Sequence, residues 1–184
     1  MENKERNFVN NCSFAGVKPA MAELSYPPIQ VRQKNKNYAD LLSVDYCGAV
    51  SELSAITQYI NNENRLSCEH CSMAKTILGI AVAEMMHLQK LGEMIYLLGG
   101  EVDFVARQPR GGQKMWTPSY LAIPKKAQEM IREDIESEKA AINQYKLHMR
   151  AIGDNGVRAV LARIIKDEEY HIMLLLALAE ELKD

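Results

Sequence analysis

A nine-residue segment of this chain occurs twice, and the repeat points to a fold built from two equivalent halves. The segment from Ser51 to Tyr59 matches the segment from Ser137 to Tyr145 at six of nine positions. A second pair of segments, 80–87 and 164–171, shares isoleucine, glutamate and histidine at matching places. Each half therefore carries the same two motifs in the same order, which predicts an approximate internal twofold axis.

Both motifs lie in stretches where apolar residues recur at helical spacing. Gly99 and Gly100 are expected to end the second helix, Ser67 to cap its start, and Pro124 to stand in the first turn of the third helix. The pattern predicts four helices, over about 38–62, 67–98 and 124–152, and from a capped turn at 153–156 to about 183. A proline- and glycine-rich crossover over about 99–124 is long enough to run the length of a helix pair. The predicted fold is all-α: a four-helix bundle of two helical hairpins joined by this crossover.

The 184 residues fit one domain with an arm. Residues 1–36 lack sustained periodicity and contain Pro19, Pro27 and Pro28, so they are predicted to form an extended arm on the body or on a partner subunit. Residues 37–184 are predicted to form the bundle.

Charge and composition disfavour several function classes. A formal net charge of −2 offers no basic field for nucleic acid. No apolar run has the length expected of a membrane span, and Met1 to Asn11 is polar, so we expect a cytoplasmic protein without a membrane partner. The four cysteines are too few for a disulfide scaffold in a chain of this length.

The repeated motifs place metal-ligand chemistry inside the predicted bundle. Glu-x-x-His occurs as Glu84 with His87 and as Glu168 with His171, and this spacing puts both side chains on one helix face. A single glutamate, Glu52 or Glu138, precedes each motif on the antiparallel partner helix. Four carboxylates and two imidazoles are the ligand set of di-iron and di-manganese bundles. Two divalent ions would neutralise the four carboxylates, so the sequence predicts a site for two Fe or Mn ions.

These motifs resemble those of the ferritin-like superfamily, in particular rubrerythrins, bacterioferritins and manganese catalases. The pattern Tyr46-x-Gly48-x-x-x-Glu52-Leu53-Ser54-Ala55 and the preceding Tyr26-Pro27-Pro28-Ile29 look most like manganese catalases, whereas Glu168-x-x-His171 looks more like rubrerythrin or bacterioferritin. The resemblance implies a di-iron or di-manganese oxidoreductase that reacts with hydrogen peroxide or O₂, as a peroxidase or a catalase. It also implies a small-molecule oxidant and an electron-donor protein. The arm and the methionine-rich helices favour a homodimer or larger homo-oligomer.

Two other functions remain open at this point. One is an iron-handling protein that oxidises Fe²⁺ and assembles into a cage. The other is a helical coat or scaffold component without enzymatic activity.

Several residues near the motifs have two interpretations. Asp134 competes with Glu138 as the ligand from the third helix, and the repeat favours Glu138. Tyr59 and Tyr145 are either donors to the ligands or core aromatics with satisfied hydroxyl groups. Cys68-x-x-Cys71, at the predicted start of the second helix, is a redox pair, a disulfide or an inert motif.

Overall fold

The computed structural model describes residues 10–109 and 111–183. The first nine residues of the predicted arm, Arg110 in the crossover and Asp184 lie outside the described residues. The described elements are α1 (Lys36–Cys47), α2 (Glu52–Leu66), α3 (Cys71–Leu97), β1 (Val105–Arg107), β2 (Gln113–Met115), a short 3-10 helix (Pro118–Tyr120), α4 (Ala127–Ala151) and α5 (Asn155–Glu181).

The predicted all-α four-helix bundle is confirmed. The closest helix packing is within two pairs, α2 with α3 and α4 with α5, which are the two predicted hairpins. The turn between α4 and α5 ends at Asp154, whose side chain caps α5 by accepting from the backbone of Gly156 and Val157. Gly99 follows α3 with a φ of +83°, a conformation that ends helices and favours glycine.

The first predicted helix is in fact two helices, because the chain breaks between Gly48 and Ser51. A Cβ atom at Gly48 would lie 2.5 Å from the carbonyl oxygen of Val44, so only glycine allows this close approach. Ser51 then caps α2 by accepting from the backbone N–H of Ser54. The break makes Glu52 the first residue of α2.

Two predicted helix starts were also wrong. Ser67 terminates α2, since its backbone N–H donates to Glu63, and α3 begins only at Cys71. Pro124 precedes α4, and its carbonyl oxygen accepts from Arg65 at 2.5 Å. Ser67 is therefore the C-cap of α2 rather than the N-cap of the next helix, and Pro124 makes a contact between segments ahead of α4.

The crossover runs back along α2, as its predicted length allowed. Its two short strands form an antiparallel hairpin in which Val105 pairs with Met115, and β1 packs on α1. Farther on, the Trp116 indole donates to Ser54 Oγ at 3.0 Å near the start of α2. Since Pro124 then reaches Arg65 at the other end of α2, α4 starts beside the start of α3 and runs parallel to it. The hairpin was not predicted.

The core of the bundle consists of two apolar clusters. One is centred on residues such as Leu42, Leu91 and Leu161, and the other on residues such as Ile77, Ile131 and Leu175. Buried polar side chains from α2, α3, α4 and α5 occupy the middle of the bundle between these clusters.

Among the described residues, α3 alone is long and apolar enough to cross a membrane by length and composition. Half of its most apolar window is buried inside the bundle. This is weak evidence for a membrane span, because the core helix of a bundle passes the same test.

Residues 10–35 contain no helix or strand and lie against the body of the protein. The backbone N–H of Ala20 donates to the carbonyl of Gly79 on α3 at 2.9 Å. A Cβ atom at Gly79 would lie 3.0 Å from the carbonyl oxygen of Lys18, so glycine here lets the arm approach closely. At the other end of α3, the N–H of Asn35 donates to the carbonyl of Leu98 at 2.9 Å.

The two cysteines of the Cys-x-x-Cys motif do not pair with each other. Cys71, the first residue of α3, forms a disulfide with Cys12 of the arm, and Cys68 is an exposed free thiol. The disulfide thus joins the arm to the bundle.

Candidate metal centre

The six side chains that the repeated motifs single out converge at the middle of the bundle. They are Glu52 from α2, Glu84 and His87 from α3, Glu138 from α4, and Glu168 and His171 from α5. All six are at most 3% exposed. Helical periodicity brings them together, because each lies on the same inward stripe as the neighbouring core residues.

These side chains form two overlapping groups, each with ligand atoms within 4.8 Å of one another. One group contains Glu52 and His87, the other contains Glu138 and His171, and both share Glu84 and Glu168. The two imidazole rings are stacked with centroids 6.0 Å apart. The geometry is that of two adjacent ligand sets bridged by two shared carboxylates.

Burial and mutual repulsion perturb the carboxylates. Burial raises the pKa of Glu52 and of Glu138 well above the usual range, and the charges of Glu84 and Glu168 raise both further. Burial also acts to raise the pKa of Glu84, but the nearby His171 and His87 lower it more. Without cations the cluster therefore takes up protons.

Burial has the opposite effect on the pKa of the two histidines, since it disfavours the charged imidazolium. Burial lowers the pKa of His87, but Glu168 and Glu84 outweigh it, so the net pKa is well above the ordinary value. Glu84 and Glu138 do the same for His171. In the metal-free protein, the positive charge of the protonated imidazoles thus offsets part of the negative charge of the carboxylates.

Two features show that the residues fit a pair of divalent ions. Both carboxylate oxygens of Glu168 and Nδ1 of His171 are buried without a well-directed hydrogen bond among the described residues, although Nδ1 lies 3.0 Å from Glu168 Oε2. Such orphaned atoms are costly unless a ligand satisfies them. Nδ1 of His87 also faces the cluster, at 2.7 Å from Glu84 and 3.5 Å from Glu168. Four carboxylates and two imidazoles suit Fe or Mn in oxidation state two.

Tyr59 and Tyr145 hold the outer glutamates across the bundle. The hydroxyl of Tyr59 on α2 donates to Glu138 on α4, and the hydroxyl of Tyr145 on α4 donates to Glu52 on α2. Burial and the charge of Glu138 raise the pKa of Tyr59 well above its usual value, which keeps it a donor. The tyrosines are thus both donors to the clustered glutamates and core aromatics with satisfied hydroxyl groups, because the glutamates accept from those hydroxyl groups.

The Nε2 atoms of both imidazoles, which point away from the cluster, also form hydrogen bonds. Nε2 of His87 donates to Asp167 at 3.1 Å, and Nε2 of His171 donates to the backbone carbonyl of Ala20 at 2.7 Å. Neither contact was predicted. A signal for Asp167 exists in the sequence, because Arg163 stands one helical turn before it and pairs with it at 2.6 Å.

Two further carboxylates flank the centre without belonging to either group. Asn62 donates to both oxygens of Asp134, at 2.9 and 3.0 Å. On the other side, Asp45 lies 2.8 Å from Nδ1 of His148 and accepts from Gln144 at 2.7 Å. Asp134 is therefore not part of the cluster in this structure, and His148 is a buried partner of Asp45.

A cavity of about 400 Å³ lies between α2 and α4 and reaches Glu52, Tyr59 and Tyr145. Asp45 and Asp134 line its walls, and residues 120–122 of the crossover contribute to its lining. None of the described residues that line it is Lys, Arg or His. The cavity gives small neutral molecules or cations, but not anions, a favourable approach to the centre.

Replacing Asp134 with asparagine is expected to change how stability depends on pH. Burial raises the pKa of Asp134 to about 7, so the folded protein keeps a proton that the unfolded chain releases above the ordinary value of 3.8. Asp134 therefore makes the unfolding free energy fall as pH rises between these values, by up to about 1.4 kcal/mol per pH unit. Asp134→Asn should remove this slope.

Urea unfolding of both proteins at pH 5, 6, 7 and 8, with equal metal content, measures the difference. The variant should gain stability relative to the wild type from pH 5 to about pH 7, with no further gain above. A constant difference across this range would contradict the assignment.

Comparisons with known proteins agree with this architecture. Residues 51–184 match the family described as ferritin-like domain. A probable manganese catalase of Clostridium acetobutylicum is 26% identical over 160 residues, which cover 78% of this chain and 70% of that protein. A manganese catalase from Anabaena superposes with a TM-score of 0.77 at 21% identity, covering 89% of this chain and 80% of the other.

A bacterioferritin of Rhodobacter capsulatus, whose dinuclear site is metal-free in its crystal structure, gives a TM-score of 0.68 at 22% identity. This superposition covers 82% of this chain and 88% of that one. At these identities the two solved structures establish the shared fold. The family match, which spans most of the chain and all six clustered residues, shows that this protein belongs to the ferritin-like domain family.

Proposed function

We propose that this protein is a di-metal oxidoreductase whose principal substrate is hydrogen peroxide, which it disproportionates in the manner of a catalase. The observation that carries the proposal is the pair of ligand groups joined by Glu84 and Glu168. The similarity to a probable manganese catalase favours manganese over iron and peroxide over O₂.

The six clustered residues would hold the ions, with Glu52 and His87 on one side, Glu138 and His171 on the other, and Glu84 and Glu168 between them. A pair of ions held there, each able to change its oxidation state by one, would supply two-electron chemistry for cleaving and re-forming an O–O bond.

The protein side chains prepare the site for this chemistry. Tyr59 and Tyr145 fix the orientation of Glu138 and Glu52, so neither carboxylate needs to be ordered during turnover. The cavity admits a small neutral molecule to the α2 and α4 side of the centre, and the apolar clusters at both ends exclude bulk water. Asp134, with a pKa of about 7, can hold or release a proton at the cavity wall.

Oxygen evolution from hydrogen peroxide tests the proposal. Protein loaded with Mn²⁺ should release one O₂ for every two peroxide molecules, without an added electron donor, and metal-free protein should release none. Peroxide consumption that requires a reductant would instead indicate a peroxidase supplied by an electron-donor protein. A protein that binds two metals and ignores peroxide and O₂ would indicate a structural bundle.

The acidic cavity favours one alternative, in which the substrate is Fe²⁺ and the oxidant is O₂. Five carboxylate residues line the cavity, namely Asp45, Glu52, Glu133, Asp134 and Glu136, and they would attract a divalent cation. Rapid oxidation of Fe²⁺ under air and a cage-sized particle in light scattering would support this function. For the catalase we propose a cytoplasmic homodimer or larger homo-oligomer, which the same scattering experiment measures.

A further inference from the structure

The segment from Ala20 to Tyr26, here called the strap, contacts the outer side of the metal centre at three points. The carbonyl of Ala20 accepts from Nε2 of His171 at 2.7 Å. The backbone N–H of Ala22 donates to Asp167 Oδ1 at 2.7 Å, and the Tyr26 hydroxyl donates to Asp167 Oδ2 at 2.6 Å. The strap thus binds one imidazole directly and orients the carboxylate that binds the other.

These contacts determine which nitrogen each imidazole offers to the cluster. His87 donates from Nε2 to Asp167, and His171 donates from Nε2 to Ala20. When Nε2 carries the proton of a neutral imidazole, the lone pair of Nδ1 is free to bind a cation. In both histidines Nδ1 is the nitrogen that faces the shared carboxylates.

Arg163 on α5 binds the strap through hydrogen bonds to two of its backbone carbonyls. Its Nε donates to the carbonyl of Leu24 at 2.9 Å and its Nη2 to the carbonyl of Ala22 at 2.8 Å. The guanidinium also lies over the Tyr26 ring, 4.4 Å from its centroid. Since Arg163 pairs with Asp167 as well, a displaced strap would leave two buried charged groups without several of their partners.

The disulfide limits how far the strap can move. Cys12 lies eight residues before Ala20, and its bond to Cys71 fixes that end of the arm to the first residue of α3. Without the bond, the strap would be held by hydrogen bonds and packing alone. Disulfides are uncommon in cytoplasmic proteins and those that occur are usually redox-sensitive.

We propose that the strap is the positioning element for both imidazoles, and that the Cys12–Cys71 bond makes retention of the metals depend on the thiol redox state. This inference rests on the proposed function, because it requires the imidazoles to bind metal. A dithiol reductant breaks the Sγ–Sγ bond, supplies two electrons and two protons to form the two thiols, and itself becomes a disulfide. Reduction then loosens the strap, the imidazoles lose their outer contacts, and the metals leave faster.

Cys12→Ser in the full chain tests the redox part, and Cys68→Ser is the matched control because Cys68 is exposed and unpaired. Both variants are loaded with Mn²⁺, which a dithiol does not reduce, and the ion is removed by excess chelator. We expect Cys12→Ser to release Mn²⁺ about tenfold faster than the wild type, and Cys68→Ser to match the wild type. Dithiothreitol should accelerate release from the wild type and leave Cys12→Ser unchanged.

Tyr26→Phe tests the positioning part, because it removes one bond to Asp167 and keeps the aromatic ring against Arg163. The Mn²⁺ electron paramagnetic resonance spectrum should change in this variant. It should not change in Tyr46→Phe, which alters a half-buried tyrosine on α1. An unaltered spectrum in Tyr26→Phe would overturn the positioning role.

Hydrogen exchange separates failure of this inference from failure of the proposed function. In metal-free protein, the Ala22 amide should exchange faster in Cys12→Ser than in Cys68→Ser, since its bond to Asp167 would open more often. Equal exchange and equal Mn²⁺ release in the two variants would overturn the inference. A wild-type protein that binds no Mn²⁺ would overturn the proposed function while the exchange experiment still tests the strap.

Discussion

Excess Mn²⁺, at a free concentration about 100 times its dissociation constant, is expected to raise the melting temperature of the metal-free protein by about 10 to 20 °C. Each site filled at 100 times its dissociation constant adds about 2.7 kcal/mol to the free energy of unfolding. A domain of this size gains about 2 to 4 °C per kcal/mol. The physical reason is the four buried carboxylates, whose repulsion and missing partners the cations relieve.

Differential scanning calorimetry with and without Mn²⁺ measures the shift. Glu129→Gln is a suitable control, since Glu129 is a partly exposed residue in the first turn of α4 and should leave the shift unchanged. A melting temperature that does not respond to Mn²⁺, Fe²⁺ or chelator would show that the cluster is not a metal site.

Glu84→Gln and Glu138→Gln are expected to differ in how many metal ions they leave bound. Glu84 belongs to both ligand groups, whereas Glu138 belongs to the group of His171 alone. Glu138→Gln should therefore retain about one ion per chain, and Glu84→Gln should lose most of both. Metal analysis after gel filtration gives the stoichiometry. Two retained ions in Glu84→Gln would contradict the shared position of this carboxylate.

Both variants should lose peroxide disproportionation by a factor of about 100 or more, because the two-electron step needs two ions. Glu93→Gln, on the exposed face of α3, should keep the wild-type rate. Loss of a repelling charge should leave metal-free Glu138→Gln at least as stable as metal-free wild type, whereas metal-free Glu84→Gln should melt lower because His87 and His171 lose a paired carboxylate. A Glu138→Gln protein with one ion and full activity would exclude the paired mechanism.

The six clustered residues were predictable because their signal is local in the sequence. Glu-x-x-His places both ligands on one helix face, and the repeat selects Glu52 and Glu138 from many other acidic residues. The break at Gly48 was less visible, since apolar periodicity continues from α1 into α2 and a single glycine is tolerated inside helices.

The contacts of the arm could not be predicted from the sequence. The carbonyl of Ala20 that holds His171 belongs to the backbone and carries no residue signature. The pairing of Cys12 with Cys71 joins residues separated by 59 positions, and the nearby Cys68 suggested a different partner. Such pairings depend on how the arm packs on the finished bundle, which helical periodicity does not encode.

The two repeated halves differ chemically at their histidines. The His87 ring donates a hydrogen bond to a carboxylate, whereas the His171 ring donates one to a peptide carbonyl. An anionic acceptor makes an imidazole a stronger electron donor than a neutral acceptor does. Ions beside His87 and His171 would accordingly sit at unequal potentials, and the one beside His87 would give up its electron first. The repeated halves of the chain would in this way hold an ordered pair of ions, in which oxidation follows a fixed sequence.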